Sequence, residues 1–117
     1  MSNAGRHFIA VSVILVEVLA CLWLFPYLPM TDLPEHMLAA QVLTHYDSPE
    51  AQYENFYTRR FPWNPYSSYF LFVLALNPIL SVANATRLYL SLTMVLTVIA
   101  LWYWIRIHAP GREAQVI

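Results

Sequence analysis

The sequence predicts an all-α membrane protein with three transmembrane helices and two short interfacial helices in its first loop. Three observations lead there. Of 117 residues, 59% are hydrophobic and only 11% are charged, whereas a soluble domain carries about 25% charge. The charges, six basic and seven acidic, are unevenly spread: residues 61–86 and 88–105 have none, and Glu17 stands alone between Phe8 and Leu28. A hydrocarbon core about 30 Å thick takes roughly 20 apolar helical residues, and these stretches approach that length. The net charge of −1 excludes a basic nucleic-acid binder and an acidic disordered tail. A single cysteine, Cys21, excludes a disulfide-stapled domain.

The first span is expected over 8–28. Arg6 and His7 before an apolar run are also how a signal peptide begins, but no small-x-small cleavage pattern follows. Val18-Leu19-Ala20-Cys21 resembles a lipoprotein cleavage site, yet Leu22-Trp23-Leu24-Phe25 stands where a polar tether would. A retained helix follows. Glu17 near its middle costs roughly 2.5–3.5 kcal/mol on the insertion scale, and the surrounding Leu, Ile, Val and Phe outweigh that by about 1–5 kcal/mol. Glu17 shares a stripe with Ala10, Val13, Ala20, Cys21 and Leu24, so it is expected to face other helices.

Residues 29–66 form an acidic loop holding Asp32, Glu35, Asp47, Glu50, Glu54, Arg59 and Arg60. Thr31-Asp32-Leu33-Pro34-Glu35 reads as a helix start, with Asp32 at the N-cap, Pro34 in the first turn and Glu35 closing a capping box. That helix should run to about His45, with Leu33, Met37, Ala40 and Leu43 on one face. Asp47-Ser48-Pro49-Glu50 repeats the signal and predicts a second helix over 49–57. Both would lie in the membrane interface. The aromatics Tyr53, Phe56, Tyr57, Phe61, Trp63, Tyr66 and Tyr69 lead back to the bilayer, with Pro62 and Pro65 keeping the approach extended.

The second span is expected over about 67–83 and the third over 88–105. Asn84-Ala85-Thr86-Arg87 would be the tight turn between them, and its glycosylation-like pattern is read as no more than that turn. Asn77-Pro78 should kink the second span. The chain is thus one membrane domain, with no repeat, cofactor motif or soluble domain.

This order of one span, a loop with two juxtamembrane helices and a hairpin of spans resembles the beginning of a GT-C type membrane glycosyltransferase. The acidic residue that follows the first span in that family matches Asp32, within Met30-Thr31-Asp32-Leu33-Pro34-Glu35-His36. The resemblance implies transfer of a sugar from a polyprenyl-phosphate donor. Asp32 would be the catalytic base or a ligand to a divalent cation such as Mg or Mn, in a bacterial inner membrane with a cytoplasmic N-terminus. Two features depart from the family. Its members have many more spans, and the Asp-Glu pair of some branches is absent because Leu33 follows Asp32. The chain is therefore expected to be a fragment, a split half or a subunit that meets further transmembrane helices.

Each candidate has a plain structural role beside the chemical one. Asp32 can serve only as a cap. Glu35 can close the capping box instead of joining Asp32 as a metal ligand, and His36 can be an interfacial side chain instead of a substrate contact. Arg59 and Arg60 suit a lipid phosphate, because guanidinium forks bind phosphate bidentately, but can equally pair with Glu50 or Glu54. Counting arginines by side places Arg6 and Arg87 with the N-terminus, and Arg59, Arg60, Arg106 and Arg112 opposite. That count leans against a cytoplasmic N-terminus, which the architecture otherwise favours. The competing expectation is a non-catalytic small membrane subunit that docks a larger partner through Glu17 and the aromatic loop.

Overall fold

The computed structural model describes residues 3–25, 32–60 and 65–108, with side chains in the first helix from Ile9 onward. The described residues form four α-helices and one short 3-10 turn, without strands: α1 (Asn3–Leu24), α2 (Leu33–Thr44), the 3-10 turn Tyr53–Asn55, α3 (Ser67–Leu76) and α4 (Val82–His108). Among them, α4 alone is long and apolar enough to cross a membrane, while Ile9–Leu24 and Ser67–Leu76 are shorter apolar helices. Leu28, Met30, Thr31, Phe61, Trp63 and the segment after His108 lie outside the described residues.

Three expected elements differ, each for a local reason. The tight turn falls at Asn77–Leu80, not at Asn84–Arg87. Pro78 has no N–H to continue α3, and Ile79 and Leu80 both bond back to the carbonyl of Leu76 at 2.9 and 2.8 Å. Ser81 then starts α4: its carbonyl accepts from Ala85 N–H at 2.9 Å and its hydroxyl from Asn84 N–H at 3.3 Å. Asn77-Pro78 is therefore a helix end instead of a kink. The ten residues of α3 rise only about 15 Å, half of a hydrocarbon core.

The expected helix over 49–57 is replaced by turns around Tyr53–Asn55. Gln52 takes a left-handed backbone, φ 50 and ψ 33, which halts a right-handed helix at a cost of roughly 1–2 kcal/mol. Tertiary ties hold the segment in that shape. Tyr46 donates its hydroxyl to the Tyr57 carbonyl at 2.8 Å, and Arg59 pairs with Asp47 at 2.8 Å.

The capping box at α2 does not form. Asp32 is the N-cap, but its side chain makes no capping hydrogen bond and its backbone is helical, φ −92 and ψ −10. An N-cap oxygen reaches the second or third helical N–H from an extended backbone. Here the second position is Pro34, which has no N–H.

The backbone gathers into two units, residues 1–26 with 90–117, and residues 27–89. In the second unit, Ala40 of α2, Tyr69, Phe70 and Val73 of α3, and Val82 and Ala85 of α4 form a buried cluster, with Met37, Leu43 and Leu76 packed against it. Thr86 is fully buried there; its hydroxyl donates to the Val82 carbonyl at 2.7 Å and meets Tyr69 Oη at 3.0 Å. In the first unit, Trp23 Nε1 donates to Ser91 Oγ at 3.1 Å. Val11, Ile14, Leu15 and Val18 of α1 and Thr93, Met94, Thr97 and Val98 of α4 line one groove. Residues before Trp23 thus meet residues after Ser91, so α1 and α4 run antiparallel.

Candidate functional site

In the second unit a cavity of about 490 Å³ opens beside α2. Its wall on α2 is Glu35, Leu38, Ala39 and Val42, spaced as one helical face, with His36 and Leu43 at the sides. Phe70 of α3 lies opposite, and Tyr57, Thr58 and Arg60 complete the rim. The result is an apolar trough carrying a carboxylate, an imidazole and a guanidinium.

His36 is held by aromatic rings from the start of α3. Its ring centroid is 4.2 Å from that of Tyr66, 6.1 Å from Phe70 and 6.3 Å from Tyr69. Arg60 is set by the segment before it. Arg59 donates to Asp47 and lies over the Tyr46 ring at 5.4 Å from its centroid, while Tyr53 and Tyr57 meet edge to face at 6.0 Å. The chain from 46 to 59 is thereby closed into a loop, with Arg60 next along the cavity rim.

The site therefore unites Glu35, His36 and Arg60. Arg59, expected to act with Arg60, is paired with Asp47 and does not line the cavity. Asp32 is exposed one turn before His36, whose N–H bonds to the Asp32 carbonyl at 3.3 Å, and it is not among the cavity-lining residues. Among the described residues no three His, Cys, Asp or Glu side chains gather to hold a metal ion. Glu17, expected to face another helix, is exposed and outside the groove between α1 and α4. The contribution of Leu38, Ala39 and Val42 was missed in the sequence, although their spacing from Glu35 is the signal that could have found it.

No family model matches the chain, and no curated protein or solved structure is significantly similar to it.

Proposed function

We propose that this chain is a membrane module that binds a polyprenyl-phosphate-linked sugar, the N-terminal part of a GT-C-like glycosyltransferase. One observation carries the reading: the cavity combines Arg60 and His36 with an apolar wall of Leu38, Ala39, Val42 and Phe70. A lipid phosphate has the same two halves. Arg60 would take the phosphate by charge-assisted hydrogen bonds, and the trough would take the first isoprene units. Asp32, whose carboxylate is not spent on capping α2, would accept the acceptor hydroxyl's proton as its oxygen bonds the anomeric carbon and the sugar–phosphate bond breaks, releasing the polyprenyl phosphate. Alternatively, Asp32 and Glu35 would hold a Mg or Mn ion, with water and the donor phosphate supplying its remaining oxygens.

In this reading α1 and α4 cross the bilayer as an antiparallel hairpin.

Binding of a fluorescent polyprenyl phosphate to the chain in lipid nanodiscs tests the proposal. Arg60→Gln should weaken binding by about tenfold, the worth of a hydrogen bond to a charged group. Unchanged affinity would sink it. A second reading, a non-catalytic subunit, is favoured by the exposed Glu17 and Cys21 on α1, outside the α4 groove. Retention of a partner that is lost on Glu17→Leu, without any polyprenyl-phosphate binding, would favour that alternative.

A further inference from the structure

The first unit carries an apolar groove and a cationic end in line along α4. The groove, about 390 Å³, is lined by Met94 and Val98 of α4 and by Val11, Leu15 and Val18 of α1. Trp102 lies one turn beyond Val98, and helical side chains lean back toward the preceding turn. Arg106, a further turn on, sits with its guanidinium carbon 5.2 Å from the Trp102 ring centroid. Beside it His108 stacks on Trp104 at 4.9 Å, with Nδ1 3.0 Å from the Trp104 carbonyl oxygen. A carbonyl only accepts, so Nδ1 is the protonated nitrogen there. Trp102, Tyr103 and Trp104 are 46%, 61% and 59% exposed.

We propose that the groove and this end of α4 form one site for an anionic phospholipid of the surrounding bilayer. Its phosphate lies against Arg106, and one acyl chain lies in the groove. The inference rests on the reading of α1 and α4 as a membrane hairpin.

Length, lining and charge each support this occupant. Arg87 and Arg106 are separated by about 28 Å of helix, close to the hydrocarbon thickness of about 30 Å. Arg106 therefore falls at headgroup level, Trp102 and Trp104 at the interface where such rings concentrate, and Val98 within the hydrocarbon. The groove's lining is apolar on both helices, with Met94 and Val98 facing Val11, Leu15 and Val18, a surface that suits an acyl chain. The last turn of α4 is basic through Arg106 and His108, and the helix holds no acid, which complements a phosphodiester and an anionic headgroup.

The test uses the full chain with Trp23, Trp63 and Trp104 replaced by Phe, leaving Trp102 as reporter. It is reconstituted into mixed phosphatidylcholine and phosphatidylglycerol vesicles, with the acyl chains of one lipid or the other brominated. Quenching should show about a fivefold preference for phosphatidylglycerol, the factor one arginine near a membrane surface provides. Arg106→Gln should abolish the preference and Arg106→Lys should retain most of it. Val98→Phe, which fills the groove, should reduce it. Equal quenching by both lipids overturns the site, and a preference unmoved by Val98→Phe overturns the groove's part in it. Quenching by aqueous iodide but by neither lipid would contradict the membrane hairpin itself, a separate failure.

Discussion

Arg59 donates from Nη1 to Oδ2 of Asp47 at 2.8 Å, closing a loop whose next residue, Arg60, stands at the rim of the α2 cavity. Both side chains of the pair are exposed, at 55% and 77%. Such a pair contributes at most about 1 kcal/mol to stability. Its consequence is positional, because it fixes where Arg60 can reach.

Asp47→Asn should therefore leave the unfolding midpoint almost unchanged in a detergent melt. It should still weaken polyprenyl-phosphate binding, by less than Arg60→Gln does. A melt that collapses on Asp47→Asn would mean that the pair holds the fold and not the site.

Thr86 and Tyr69 give a stability prediction inside the second unit. Thr86 spends its proton on the Val82 carbonyl, so the Tyr69 hydroxyl donates to Thr86 Oγ1 across 3.0 Å. Thr86→Val removes the acceptor and leaves a buried hydroxyl unmatched, a loss of about 1–3 kcal/mol. Tyr69→Phe removes donor and demand together and should cost less. Thermal unfolding of both variants followed by circular dichroism checks the order.

Ala40 is fully buried where α2 meets α3. Ala40→Leu forces extra methylenes into that contact and should destabilise by about 1–3 kcal/mol. Because α2 also forms the cavity wall, the same variant should weaken lipid-phosphate binding. Preserved binding alongside lost stability would separate the cavity from this packing.

Local chemistry was legible where one signal acted alone. Asp32 and Pro34 marked the start of α2, and the uncharged run within α4 marked the long apolar helix. Competing local signals misled at Asn84-Ala85-Thr86-Arg87, which reads as a polar break. Two of its side chains instead bond within the helix, Thr86 to the Val82 carbonyl and Arg87 Nη1 to Asn84 Oδ1 at 3.1 Å, and α4 continues through them. The loop after α2 depended on Tyr46 meeting Tyr57 and Asp47 meeting Arg59. Those ties join distant residues, and no periodicity within 49–57 announces them. The same ties divided the basic pair, sending Arg60 to the cavity and Arg59 elsewhere.

The central claim is that the lipid phosphate lies in the α2 cavity. A polyprenyl phosphate with a photoreactive group on its first isoprene unit, cross-linked to the chain in nanodiscs and mapped by mass spectrometry, tests this most directly. Adducts on residues 35–43, 57–60 and 70, reduced by Arg60→Gln, are the predicted result. Adducts confined to 11–18 and 93–98, or spread evenly over the apolar helices, would contradict it.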